Sequence, residues 1–186
     1  MAVPSLKDAL CLTIVDTSDV GTEGQILRLV AESLDYAVQD FGIGAPSQFV
    51  EAIELAKDRG GVLVLCGHGD ERGLLFGELS EELYADQPFR TVLKPDEMTE
   101  LLSFEGLQVL TTACLAGRRD FGAAALKAEA MSWIGFDDYP EGDDALFSAM
   151  AFLRAFAKTR DTKAAFASAK AASEDGQTML RLYQPS

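Results

Sequence analysis

Four short, almost wholly apolar runs constrain the fold of this chain more than any other feature. They read LCLTIVDT at Leu10–Thr17, GVLVLCG at Gly61–Gly67, LQVLTTA at Leu107–Ala113 and MSWIGF at Met131–Phe136. Each is short and apolar, so each predicts a buried strand, and the second, GVLVLCG, is the most apolar and is expected to be a central parallel strand. Helical patterns separate them. Gly21–Leu34 places Ile26, Leu27, Val30 and Leu34 on one face. Ser47 reads as an N-cap for a helix with Phe49, Val50, Ile53, Leu55 and Ala56 inside, stopped by Gly60–Gly61. Asp35–Gly42 alternates and predicts a second strand. Strand–helix alternation of this kind implies an open α/β sandwich around a mostly parallel sheet.

The rest of the pattern fits that plan. From Gly69 to about Pro95 the chain is irregular, with a hairpin expected at RGLLFGEL, and nine acidic residues fall between Asp70 and Glu100. That reads as a solvated excursion above the sheet. Pro95 opens a short helix, PDEMTELLSF. A small helix is expected around Phe121–Ala130, and an acidic loop at Asp137–Asp144. Two helices follow, Ala145–Lys158 and Thr162–Ser173, then a last apolar segment, Thr178–Tyr183.

With 186 residues and no internal repeat or linker, residues 1–186 read as one domain. The net charge of −14 argues against nucleic acid and against an anionic membrane surface. No run approaches the 18 apolar residues of a membrane span, and MAVPSLKDALCLTIVD lacks the layout of a signal peptide. Cys11, Cys66 and Cys114 are widely spaced and odd in number, which suggests neither a disulfide framework nor a zinc ribbon. The expectation is a reduced, cytoplasmic protein without a cofactor.

In a parallel sheet, chemistry gathers beyond the carboxyl ends of the strands. The single histidine, His68, directly follows GVLVLCG, and Cys114 directly follows LQVLTTA. If those strands are neighbours, imidazole and thiol project into one crevice, as a nucleophile and its base. The backbone N–H groups of Gly69 and Cys114 are then candidates for an oxyanion hole. Each residue alone has a plainer reading: a histidine satisfied in a turn, a cysteine acting as a small buried hydrophobe. A zinc site from Cys66, His68 and Cys114 lacks a clear fourth ligand. GTEG before the first helix lacks phosphate-loop spacing. Cys11 and Trp133 read as packing.

VLVLCGHG and VLTTAC, with Cys114 lying 46 positions after His68, resemble the paired strand-end blocks of caspase-like (clan CD) cysteine peptidases. The downstream order of CLAG, FGAAALKAEAMSWIGFDDYPEGDDALFSAMAFLRAF, TKAAFASAKAA and TMLRLYQP is similar to the CHAT branch, shared with separase-type peptidases. The resemblance spans roughly Leu10 to Pro185. It implies a three-layer α/β/α sandwich on a mostly parallel six-stranded sheet, and endopeptidase activity by a metal-free His68–Cys114 dyad on a polypeptide substrate. Cys114 would attack the scissile carbonyl, while His68 would protonate the leaving amine and then activate water. The family selects substrates by the residue before the cut. Asp16, Asp19, Asp70, Asp137 and Asp138 lie on the expected rim, and a carboxylate among them would suit a basic residue there.

The sequence departs from the pattern at Thr112, where metacaspase-like relatives carry an acid, and at Leu115 and Ala116, which replace a polar pair. These departures and the short chain motivate a second reading: a catalytically inactive caspase-like module that binds a regulatory protein partner. The C-terminal TMLRLY segment is expected at a sheet edge, where it can pair with a second copy into a homodimer. A flavodoxin-like or Rossmann-like ligand binder is a third, weaker reading.

Overall fold

The computed structural model describes residues 10–18 and 21–185. The apolar runs form β1 (Leu10–Asp16), β3 (Gly61–Cys66), β7 (Leu107–Thr111) and β8 (Ser132–Phe136); β2 is Tyr36–Gly42 and β9 is Leu180–Tyr183. They make one six-stranded sheet in the order β2-β1-β3-β7-β8-β9, parallel except for β9, which runs antiparallel to β8 at one edge.

Alternating strand residues feed two separate cores, as the period of two requires. Leu12, Ile14, Val62, Val64, Leu110 and Ile134 pack beneath α1 (Glu23–Ser33), α5 (Gly142–Thr159) and α6 (Thr162–Lys170). Val15, Leu63, Leu65, Val109 and Trp133 pack beneath α2 (Pro46–Arg59), α3 (Pro95–Leu101) and α4 (Arg119–Lys127). Both faces of the central strands are therefore covered, which explains why those strands read as continuous apolar runs.

Several boundaries differ from the sequence reading for identifiable reasons. The second helix begins at Pro46 with Ala45 as its N-cap, because proline's fixed φ suits the first turn. Gln48 Oε1 there accepts from the Gly44 and Ala45 N–H groups, so Ser47 is not the cap. Leu55 is 41% exposed rather than inside. On α1 the buried stripe is Gly24, Leu27 and Ala31, with Ile26 and Val30 half-buried; Gly24 faces the sheet, where a Cβ would lie 2.4 Å from the Asp16 carboxylate. The last helical region divides: α6 ends at Lys170, and Ser173 accepts from Gly176 N–H to cap a separate α7 (Glu174–Met179). Thr178 and Met179 thus close a helix, and the final strand begins at Leu180.

The excursion after β3 is the largest departure. Instead of a hairpin within RGLLFGEL, β5 (Leu74–Leu75) pairs on one side with β4 (His68–Gly69) and on the other with β6 (Val92–Leu93). The turn lies at Asp70–Gly73. Phe76 and Phe89 are buried, and Phe76 stacks edge-on between Phe49 and Phe89, at 5.0 and 4.9 Å. Burial of each ring stabilises by about 2 kcal/mol, so the segment is anchored core flanking a short exposed 3₁₀ turn at Glu81–Asp86.

Candidate active site

The strand order reverses between β1 and β3, and α/β sheets open a crevice at the carboxyl ends of strands at such a point. β3 and β7 pair in parallel, with Leu65 opposite Thr111, so the residues beyond them are neighbours. A cavity of about 350 Å³ opens there, lined among others by Glu23, Gly67, His68, Thr112, Cys114 and Gly142. The histidine and the third cysteine thus share one cavity. His68 is exposed and Cys114 is half-buried.

The glycine after His68 has a steric reason. A Cβ on Gly69 would lie 2.1 Å from the Cys114 carbonyl oxygen, so only glycine lets β4 pass directly against the loop that carries the thiol. Gly69 itself is buried. Burial pushes the Cys114 thiol up from its ordinary value; its own backbone N–H opposes this, and the charge of Asp138 adds to the rise.

The five rim aspartates separate into groups. Asp19 lies outside the described residues. Asp70 accepts from the Arg72 side chain at 2.6 and 2.9 Å and from the Arg72 N–H at 2.8 Å, and these bonds hold its carboxyl below the usual range. Asp137 is ion-paired with Arg181 of β9 at 2.8 Å. Asp138 accepts from the Tyr139 N–H at 2.9 Å through Oδ1. Asp16, the last residue of β1, is half-buried beside Cys66 and Glu23.

Glu23 is the cavity residue that sequence reasoning did not single out. Its Oε1 and Asp16 Oδ1 are both buried with no hydrogen-bond partner among the described residues. Burial pushes both carboxyls up; the Thr112 hydroxyl lowers that of Glu23, whereas the Asp16 charge raises it. An acid at a helix N-terminus is so ordinary that the sequence carried no signal for this role. Cys66 faces the same pair from the fully buried side, with its thiol pushed well up by burial and then by Glu23 and Asp16. Among the described residues, no three His, Cys, Asp or Glu side chains converge as a metal-binding group, and that includes Cys66, His68 and Cys114.

Across the mouth, the Tyr139 hydroxyl donates to Glu71 Oε1 at 2.7 Å, and Arg118 Nη1 donates to the Glu71 carbonyl at 3.0 Å. The bond to Glu71 keeps the Tyr139 phenol protonated, up at about 12. Three loops, following β4, β7 and β8, are thereby tied together on one side of the cavity.

No family model matches the chain, and no curated protein matches it either. Solved structures do. The Arg-specific cysteine proteinase gingipain R superposes with a TM-score of 0.59 at 10% identity, over 94% of this chain and 46% of its own. The complex of Porphyromonas gingivalis RgpB pro- and mature domains gives the same TM-score and identity, over 94% of this chain and 47% of its own. The separase–securin complex of Saccharomyces cerevisiae gives a TM-score of 0.62 at 8% identity, over 95% of this chain and 12% of its own. The chain therefore spans less than half the length of the proteins it resembles. At these identities the likeness shows the fold: a caspase-like α/β/α sandwich on a mostly parallel six-stranded sheet.

Proposed function

We propose that this chain is a cysteine endopeptidase of the caspase-like type, nearest the CHAT branch, that cuts polypeptides after a basic residue. The observation that carries the proposal is one cavity holding the thiol of Cys114, the imidazole of His68 and the carboxylate of Glu23, whose Oε1 is buried without a hydrogen-bond partner among the described residues. Cys114 Sγ attacks the scissile carbonyl carbon, and the oxyanion is held by the Gly69 and Cys114 N–H groups. His68 takes the Cys114 thiol proton and gives it to the leaving amine, then takes one from the water that hydrolyses the thioester and returns it to the departing thiolate. A guanidinium or ammonium in the cavity would supply the donors that Glu23 Oε1 and Asp16 Oδ1 lack, forming charge-assisted bonds. Asp70, Asp137 and Asp138 are further off as partners, since each is already bonded to a neighbouring side chain or backbone group. Gingipain R, described as Arg-specific, has the same fold.

A free catalytic thiol suits a reduced, cytoplasmic setting, and no helix among the described residues is long and apolar enough to cross a membrane. A positional peptide-library assay tests the proposal. Wild type is expected to cleave after Arg or Lys and to be labelled by an Arg-directed acyloxymethyl ketone; Cys114→Ala is expected to do neither. Cleavage after acidic residues would overturn the basic preference, and no labelling under any condition would overturn the enzyme.

One observation favours a silent module that binds a regulatory protein. Burial and Asp138 both disfavour the Cys114 thiolate, the form that attacks. In that reading the open edge of β9 is the docking edge, for a protein partner or for a second copy in a homodimer. Separase, of the same fold, was crystallised with securin.

A further inference from the structure

The turn that follows β7 is tied on one side to β8, β9 and the turn after β8. The Leu115 N–H donates to the Asp138 carbonyl at 3.1 Å, and the Gly117 N–H to the Phe136 carbonyl at 2.7 Å. Trp133 Nε1 donates to the Ala116 carbonyl at 2.7 Å, and the Tyr183 hydroxyl to the Gly117 carbonyl at 2.9 Å. All four partners lie on β8, on β9 or in the turn after β8. Leu115, directly after Cys114, is held at φ 60°, in the left-handed region. That conformation costs an ordinary side chain about 1–2 kcal/mol, and it persists only where the surroundings over-determine it. Tyr183 is the outermost of the four anchors. Its ring is wedged against α4, where a Cβ on Gly122 would lie 2.3 Å from the Tyr183 Cγ.

We propose that Tyr183, on the C-terminal edge strand, is a positioning residue for Cys114: its hydroxyl holds the Gly117 carbonyl and so keeps the strained Leu115 turn from relaxing. The proposal rests on Cys114 being the nucleophile. Without the hydroxyl, the Gly117 carbonyl loses that donor, the turn gains freedom, and the half-buried thiol swings toward water. Two consequences have opposite signs. A more exposed thiol is easier to alkylate, whereas a thiol off its line of attack turns over more slowly, since small displacements of reacting groups are costly.

Tyr183→Phe tests this, because the ring stays against Gly122 while the hydroxyl is lost. Iodoacetamide labelling of the Cys114 peptide, read by mass against pH, is expected to run roughly three- to tenfold faster near neutral pH. The kcat on the best library peptide is expected to fall roughly five- to tenfold, with KM unchanged within about twofold. A merely structural tyrosine would lower Tm and leave both readouts at wild-type values well below it; that result overturns the proposal. If Tyr183→Phe does not fold, the double variant Tyr183→Phe/Leu115→Gly carries the test, because glycine adopts φ 60° without strain and the turn then holds without the hydroxyl. Labelling and kcat are expected within about twofold of wild type, and labelling still roughly tenfold faster overturns the proposal. Faster labelling in a chain that cleaves no peptide would sink the peptidase and leave the role of Tyr183 in placing Cys114 standing.

Discussion

The two walls of the cavity are built differently. The Cys114 wall is tied by four hydrogen bonds to β8, β9 and the turn after β8, and backed by Trp133, which is fully buried. The His68 wall is a two-residue strand whose histidine is exposed, closed by a turn that an Arg72–Asp70 pair holds on the surface. One wall is bonded to the β8–β9 edge of the main sheet; the other is a short arm that belongs to the small sheet β4-β5-β6 and meets the first where Gly69 passes the Cys114 carbonyl. If Cys114 and His68 are the proposed nucleophile and base, the base must serve two partners in turn, the leaving amine and then water. Substitutions in the fixed wall should therefore register first as lost stability, and those in the arm as lost activity.

Trp133→Ala is the largest break in that contrast. The indole stacks on Phe121 at 6.3 Å and lies 5.8 Å from Phe104, so truncation leaves a cavity and strips the Ala116 carbonyl of its donor. A loss of about 3–5 kcal/mol is expected, read as a Tm lower by roughly 10 °C. A drop of only a degree or two would mean that the Cys114 wall is not part of the core.

Gly69→Ala tests the arm. A methyl group placed 2.1 Å from the Cys114 carbonyl oxygen must push β4 away, carrying His68 with it. Peptidase kcat/KM is expected to fall about a hundredfold, while stability falls by no more than about 2 kcal/mol. Equal activity would show that the histidine's placement does not depend on this contact.

Glu23→Gln separates the cavity from both walls. The Glu23 carboxyl titrates above its unfolded value of 4.5 because burial penalises the charge. The charged form thus costs stability at neutral pH, and the cost fades as pH falls through the raised value toward 4.5. The amide carries no such cost and can donate to Asp16 Oδ1, so the variant is expected to be about 1 kcal/mol more stable at pH 7. That advantage should vanish below pH 4.5 in thermal scans. Discrimination between Arg and neutral substrates should fall roughly tenfold or more. A variant that is no more stable yet equally selective would remove Glu23 from the cavity's chemistry.

Reading strands was easy where both faces are dry. β1, β3, β7 and β8 announced themselves by apolar runs, and the rim residues His68 and Cys114 came with them. What stayed hidden has a common cause: it depends on contacts between segments far apart in sequence. Phe76 and Phe89 sit singly in an acidic stretch with no period to reveal them, and they join the core where Phe49 receives Phe76 and Phe76 in turn receives Phe89. The Trp133 ring reads as packing and does pack, but its N–H bond to Ala116 is a tertiary fact. Asp70, Asp137 and Glu23 look alike as acids near strand ends. Only the fold gives the first two arginine partners and leaves one oxygen of the third buried without one.

Asp70→Asn marks the small end of the scale. Its carboxyl lies below the ordinary 3.8 because Arg72 bonds it, so the pair contributes stability at neutral pH that is lost as pH falls through the lowered value. The pair is a surface one, with the Arg72 side chain 67% exposed, and such pairs are largely screened. Losing it is expected to move Tm by no more than about 2 °C, and by less in high salt. The KM for an Arg substrate should stay within about twofold of wild type, because a carboxylate already engaged by one guanidinium has little left for another. A tenfold rise in KM from this change, with Glu23→Gln silent, would reverse the assignment: the β4 arm would read the substrate, and the cavity carboxylate would be only a strained piece of the fold.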